Sequence, residues 1–259
     1  MERKLICFDV DGTLRNTTDH TVSPSTIKAL RLLKENGHII VVNTGRSHES
    51  FKATGIAEMA DWDGYIFNNG QLLLDENEEL LQRHLFKPET VLETIRIADS
   101  LGMPVNLKMK HRIMTKEPNE YVYSTQRYFS NTIPEVGVYD VNDHVYAMIL
   151  YGPKGYDYAP YKNVKNLYVA PGMDCYADAT IEGITKGTGA LTFAWRNDLT
   201  GYVAFGDSQN DLEMFKCSDY CICMGNGDPV TKEAADYITD DVDHGGIYNA
   251  CVALGYIKE

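Results

Sequence analysis

Along the first eighty residues, short unbroken apolar runs alternate with segments of helical periodicity. Leu5, Ile6, Cys7 and Phe8 follow a charged start and stop at Asp9, which predicts a buried strand over 4–8. Ser23 as N-cap, Pro24 at the first helical position, Ile27, Leu30 and Leu33 on one face and Gly37 as a stop mark a helix punctuated at both ends. A second strand is expected at 38–43, a helix at 46–59 interrupted by Gly55, and a third strand at 64–67 that ends on Asn68-Asn69-Gly70. Two leucine-rich arms flank Asp75-Glu76-Asn77-Glu78, the pattern of a β-hairpin over 71–82. Such βαβ alternation predicts an α/β fold, a doubly wound, Rossmann-like parallel sheet.

From about residue 87 the rhythm changes. A helix at 88–101 precedes strands at 105–109 and 112–116; a helix at 119–129 precedes strands at 136–140 and 144–151; a short helix at 156–163 leads to strands at 167–170 and 174–179. The repeated α-β-β order predicts an inserted α+β domain, a sheet with antiparallel pairs covered by helices on one face. After Gly183 the βα alternation resumes, with a helix at 188–195, a strand at 202–205, a helix at 211–215, a strand at 220–224 and a covering helix at 246–254. The expected organisation is a core of residues 1–82 and 182–259 interrupted by a domain at 83–181.

Composition narrows the partners. The 259 residues carry a formal charge of −13, a field that repels nucleic-acid phosphates and anionic lipid, and no basic stripe offsets it. No apolar run approaches the ~18 residues of a membrane span, and the apolar stretch after Lys4 is shorter than the ~7–15 residues of a secretory core. The 6 cysteines lack the paired spacing of a zinc site and read as buried reduced thiols. A cytoplasmic protein without nucleic-acid or membrane partners, acting as a monomer or homodimer, is expected.

Chemistry concentrates where strands end, the ligand-binding edge of a parallel sheet. Asp9-Val10-Asp11-Gly12-Thr13 places two carboxylates at the end of the first strand. Gly12 lets the chain turn and bring both toward one centre, where they suit a hard cation or the roles of nucleophile and general acid. Asp11-Gly12 fits an ordinary turn as well, with Asp9 hydrogen-bonded nearby. Gly206-Asp207-Ser208-Gln209-Asn210-Asp211 again follows an apolar strand directly. If the two strands are neighbours, Asp9, Asp207 and Asp211 gather negative charge that a divalent cation would neutralise, and all-oxygen donors favour Mg²⁺. Helix capping by Asp207 or Asn210 is a compatible second use. Thr44-Gly45-Arg46 offers a hydroxyl and backbone N–H groups at a helix start, and Lys186 opens a helix with a cation, both suited to a phosphoryl group.

Taken in order, DVDGT at 9–13, the threonine of NTGR at 43–46, Lys186 of TKG and GDSQND at 206–211 resemble the four motifs of the haloacid dehalogenase superfamily. The interval from Thr44 to Lys186, 186 − 44 = 142 positions, matches the place where its Cof-like subgroup inserts a type IIB cap, and Asn69-Gly70 resembles a subgroup feature preceding that cap. The resemblance implies Asp9 as nucleophile forming an aspartyl-phosphate, and Asp11 as the acid, then base. Thr44, Gly45, Lys186 and Asn210 would hold the phosphate, Asn210 assisting Lys186, with Arg46 adding to the local field. Mg²⁺ would lie on Asp9, the Asp11 carbonyl and Asp207, with Asp211 either touching the ion directly or standing just behind those ligands. The implied activity is a phosphatase for a small phosphomonoester, a sugar phosphate or a phosphorylated cofactor such as pyridoxal phosphate or flavin mononucleotide. A sensor that binds a phosphorylated metabolite without turnover is the alternative from another class. A phosphomutase fits less well, because such enzymes carry a smaller cap between the first two motifs, and Thr44 follows Thr13 by only 44 − 13 = 31 positions. In the inserted domain Lys108, Arg112, Tyr123, Tyr146, Asp178 and Thr180 are candidates to reach a substrate, and a solvated surface accounts for them equally.

Overall fold

The computed structural model describes residues 2–172 and 174–258, which form two compact units. One comprises the chain up to Gly45, Thr54–Gln82 and the chain from Thr185 onward; the other comprises Arg46–Ala53 and Arg83–Ile184.

The first unit is built on an eight-stranded sheet. In chain order its elements are β1 (Leu5–Phe8), α1 (Pro24–Glu35), β2 (Ile39–Asn43), β3 (Gly64–Phe67), β4 (Leu72–Asp75) and β5 (Leu80–Arg83). The strand order is β13-β12-β11-β1-β2-β3-β4-β5, with β11 (Val203–Gly206), β12 (Tyr220–Cys223) and β13 (Tyr237–Ile238) contributed by the C-terminal segment. The six strands from β13 to β3 are paired in parallel, and β4 runs antiparallel to β3. The chain winds from β1 outward through β2 and β3, then restarts at β11 on the other side of β1. This reversal is a topological switch point, which leaves a crevice at the carboxyl ends of β1 and β11. Both strands are buried throughout, as their unbroken apolar sequences require.

Strand alternation sends Leu5 and Cys7 to one face, where Ile39, Val41 and Ala204 join Phe193 and Ala194 of α5 (Lys186–Arg196) and Met214 and Phe215 of α6 (Leu212–Cys217) in one cluster. Ile6 and Phe8 face the other way; Phe8 stacks on Phe205 at 4.9 Å and meets Trp62 edge-on at 6.2 Å. Burying such a side chain stabilises the fold by about 1.5–3 kcal/mol. Helices α7 (Pro229–Glu233) and α8 (Gly246–Ala253) complete the unit, α8 packing on α1. None of the six cysteines forms a disulfide; Cys7, Cys221, Cys223 and Cys251 are buried, while Cys175 and Cys217 are half-buried.

The second unit carries a five-stranded antiparallel sheet of order β7-β6-β8-β10-β9. Its elements are α2 (His48–Lys52), α3 (Pro88–Ser100), β6 (Val105–Lys108), β7 (Ile113–Met114), α4 (Glu120–Tyr128), β8 (Ala147–Tyr151), β9 (Leu167–Pro171) and β10 (Tyr176–Ile181). Val105, Leu107, Met148, Leu150, Ala177 and Ala179 pack with Val91 and Ala98 of α3. The helices do not all lie on that face: Val122 of α4 packs with Tyr151 and Ile149, which point to the opposite one.

Three expected elements differ. The helix expected at 46–59 is split into α2 and a 3-10 turn at Ile56–Met59, because Gly55 takes a left-handed φ of 73° between them. The expected 156–163 helix contracts to a 3-10 turn at Ala159–Tyr161. No strand forms at 136–140; Val136 makes one bridge to Met114, and Val138 is 93% exposed. Valine favours a strand only where a neighbouring strand and a buried face receive it. Among the described residues no helix is long and apolar enough to cross a membrane.

Candidate active site

β1 delivers Asp9 to the switch point. The Asp9 N–H donates to the Phe205 carbonyl at 3.0 Å, so the pairing with β11 continues one residue past the strand, and Asp9 is only 4% exposed. Thr185 caps α5, and Lys186, the first residue of that helix, is 1% exposed. Its Nζ donates to Asp9 Oδ1 at 2.6 Å and to Asp211 Oδ1 at 2.7 Å. The second oxygen of Asp211 accepts the backbone N–H groups of Asp207 and Ser208 at 3.0 and 3.2 Å. Both Asp211 oxygens are therefore engaged, and its carboxylate fixes the loop that presents Asp207.

Gly12 is required by a close approach. Its φ is +90°, and a Cβ built there would lie 2.2 Å from Asp207 Oδ2. The Thr13 hydroxyl donates to Asp207 Oδ1 at 3.1 Å, and Asn226 Nδ2 donates to the Gly12 carbonyl at 2.8 Å. The turn after β1 is thus fitted against the residues that follow β11 and β12.

Electrostatics follows from this crowding. Burial pushes the Asp9 carboxyl up; Lys186 opposes the shift and Asp211 and Asp11 add to it, for a net rise to about 7. Burial, then the charges of Asp211 and Asp9, raise the Asp207 carboxyl well above the ordinary carboxylate range. For Lys186 burial works against the charge, but Asp211 and Asp9 outweigh it and hold the ammonium above its usual range. One cation among three carboxylates leaves excess negative charge. Asp9, Asp207 and Asp211 each offer an oxygen within 4.8 Å of the others. An all-oxygen, partly neutralised cluster of this kind fits a hard divalent cation such as Mg²⁺.

Thr44 directly follows β2, whose last residue, Asn43, meets the Lys186 backbone. The Thr44 N–H donates to the Ile66 carbonyl at 2.8 Å, and its carbonyl accepts from the Asn69 N–H at 3.1 Å. Gly45 leaves space for the Asn69 side chain, whose Oδ1 would lie 3.0 Å from a Cβ there. Asn68, Asn69 and Gly70 all have left-handed φ values, and a Cβ on Gly70 would lie 2.2 Å from the Thr185 carbonyl. The turn after β3 therefore braces both the Thr44 loop and the start of the helix that carries Lys186.

The structure brings Asp9, Lys186, Asp207 and Asp211 together, with Asp11 at the adjoining turn. It does not bring Asn210 to Lys186: Asn210 is exposed and its Oδ1 accepts from the Ser208 hydroxyl at 2.8 Å. Arg46, in the second unit, donates to the Phe129 carbonyl at 3.0 Å and to the Ser50 hydroxyl at 3.0 Å. In the second unit Lys108 pairs with Asp178 at 3.2 Å and Arg112 with Glu49 at 3.2 Å. Thr180 is buried, Tyr146 half-buried and Tyr123 exposed. Residues not singled out from sequence include Arg15, Asn43, whose Nδ2 donates to the Lys186 carbonyl at 2.9 Å, and Asn226. Asn43 and Asn226 lie at or just beyond strand ends, and the strand-end rule applied to β2 and β12 finds them.

A switch-point crevice holding a lysine-bridged carboxylate cluster defines a Rossmann-like α/β enzyme of the kind that handles anionic groups. A family model described as haloacid dehalogenase-like hydrolase matches residues 6–251, and the chain belongs to that family of hydrolases. It is 29% identical to the putative phosphatase YkrA of Bacillus subtilis (strain 168), over 100% of both chains. It is 26% identical to the 5-amino-6-(5-phospho-D-ribitylamino)uracil phosphatase YcsE of the same organism, over 95% of this chain and 94% of the relative. The solved structure of BT4131, described as a subclass IIB sugar phosphatase, aligns with a TM-score of 0.86 at 26% identity, covering 98% of this chain and 100% of that one.

Proposed function

We propose that this chain is a Mg²⁺-dependent phosphatase that hydrolyses a small phosphomonoester through an aspartyl-phosphate at Asp9. The observation that carries the reading is the seat of Asp9: at a strand end, nearly buried, with Lys186 Nζ 2.6 Å from one oxygen and a carboxylate cluster beside it. An Asp9 oxygen attacks phosphorus as the ester P–O bond breaks, and Asp11 gives its proton to the leaving oxygen. Asp11 then takes a proton from the water that displaces Asp9. The Thr44 hydroxyl, the Gly45 N–H and Lys186 hold the phosphoryl oxygens, so that the chemistry rests on positioning and charge. Asp9, Asp207, Asp211 and the Asp11 carbonyl would hold Mg²⁺, which supplies charge neutralisation at the phosphoryl group when bound.

The second unit acts in this reading as the cap that selects the substrate, and its polar pair Lys108–Asp178 belongs to that selection. The relatives support a sugar phosphate or a phosphorylated cofactor as the substrate class, since BT4131 is a sugar phosphatase and YcsE acts on a phosphoribityl compound. The test is phosphate release from a panel with Mg²⁺ and with EDTA: a hexose 6-phosphate, glycerol phosphate, pyridoxal 5′-phosphate, flavin mononucleotide and 4-nitrophenyl phosphate. Release that needs Mg²⁺ and disappears in Asp9→Asn, with folding intact, is the expected outcome. Retained turnover in Asp9→Asn removes the nucleophile assignment, and metal-dependent binding without turnover favours a sensor.

A further inference from the structure

The turn after Asp9 pairs a buried arginine with a half-buried carboxylate, an ion pair that the motif does not account for. Arg15 is 5% exposed, and its Nη1 lies 3.8 Å from Asp11 Oδ1. The backbone brings the two together. The Val10 carbonyl accepts the N–H groups of Leu14 and Arg15 at 3.0 and 2.9 Å, the Gly12 N–H donates to the Arg15 carbonyl at 2.7 Å, and Asp11 and Arg15 form an isolated bridge. The guanidinium is anchored from the other side as well, Nε donating to the His20 carbonyl at 3.3 Å. That carbonyl is offered by a loop folded back on itself. His20 has a left-handed φ of 62°, its N–H donates to the Asn16 carbonyl at 3.1 Å, and the Asn16 N–H donates to the Thr21 carbonyl at 2.9 Å. A buried guanidinium is tolerated only with a compensating charge and fixed acceptors, and its planar fork holds a carboxylate in one orientation better than a flexible ammonium does.

We propose that Arg15 is a positioning residue for the reaction, holding the Asp11 carboxyl toward the leaving-group oxygen; the proposal rests on the reading of Asp11 as acid and base. In the first step the Asp9 O–P bond forms, the ester P–O bond breaks, and its electron pair goes to the leaving oxygen, which takes the Asp11 proton. In the second step water forms the new O–P bond, the Asp9 O–P bond breaks, and Asp11 recovers a proton from that water. A carboxyl that is free to turn away fails most where the leaving oxygen most needs a proton. Alkoxides need it, whereas 4-nitrophenolate departs largely unaided.

The experiment compares kcat/KM, which reports the steps through the first P–O cleavage, for 4-nitrophenyl phosphate and for the alkyl phosphate of the panel that wild type hydrolyses fastest. A correctly placed general acid contributes about 10²–10⁴ in rate. Arg15→Met is therefore expected to lose roughly tenfold more on the alkyl phosphate than on 4-nitrophenyl phosphate, with Arg15→Lys between it and wild type. Asp11→Asn, run alongside, is expected to show the same contrast, but larger. If Asp11→Asn shows the contrast and Arg15→Met loses equally on both substrates, or loses nothing, the positioning role is overturned. If Asp11→Asn shows no contrast, the acid–base reading of Asp11 fails and the role of Arg15 with it. Should Arg15→Met not fold, Arg15→Lys, which keeps the charge but not the Nε anchor, carries the same comparison and the same overturning result.

Discussion

Replacing Lys186 with methionine removes a charge while nearly preserving volume, and the structure sets the size of the effect. The ammonium is buried, with Asp9 Oδ1 at 2.6 Å and Asp211 Oδ1 at 2.7 Å, and Asp207 belongs to the same cluster. Breaking a buried ion pair by deleting one partner costs about 3–5 kcal/mol, because the remaining charge is left uncompensated. For a chain of this size about 1 kcal/mol shifts the melting temperature by roughly 2–4 °C, so Lys186→Met should melt roughly 6–20 °C below wild type at pH 8 in EDTA. The deficit should narrow at pH 6. The Asp9 and Asp207 carboxyls already sit above the ordinary range in the folded protein, and loss of the cation raises them further. A carboxyl raised on folding binds more protons folded than unfolded, so stability rises as pH falls through that range. Thermal melts at both pH values measure this directly. A variant that melts within about 2 °C of wild type at pH 8, or one whose deficit is the same at pH 6, would refute the view that Lys186 is the internal counterion of the site.

Gly70→Ala places a methyl 2.2 Å from the Thr185 carbonyl at a residue with φ +96°. The strain and the displaced start of α5 should cost about 2–4 kcal/mol and lower kcat/KM at least roughly tenfold; thermal melts and steady-state kinetics check both, and unchanged kinetics would separate the turn after β3 from the phosphate grip. His38 Nδ1 accepts the Lys4 N–H at 3.2 Å and its Nε2 donates to the Tyr256 carbonyl at 2.9 Å, a neutral ring whose pKa burial lowers. A histidine depressed on folding contributes stability that is present above about pH 6.5 and is lost as pH falls toward its folded value. Urea midpoints should therefore drop more between pH 7.5 and 5.5 for wild type than for His38→Gln, and equal drops would contradict that assignment.

The sequence by itself determined the core strands and the placement of carboxylates at their ends. Four-residue apolar runs such as Leu5–Phe8 have no polar face to expose and are too short for a buried helix, which marks them as central strands. A carboxylate placed directly after such a run can only lie at the sheet's edge, which is why Asp9 and Asp207 were legible without coordinates. Local punctuation was equally readable where one residue fixes the backbone, as with Ser23 and Pro24 at the start of α1. Long-range neighbours were decided only by the tertiary structure. Whether Lys186 meets Asp9 or Asn210 depends on how α5 packs across the sheet, and the fold gives it to Asp9 and Asp211. Val136 and Val138 carry strand propensity, yet Val136 makes a single bridge to Met114 of β7 and Val138 is left exposed. Arg15 looks like a loop residue in the chain, and only the tight turn and the returning loop reveal that it is buried against Asp11. Periodicity and strand ends are properties of neighbouring residues, so the sequence carries them; partners separated by many residues are chosen by packing, which only the folded chain defines.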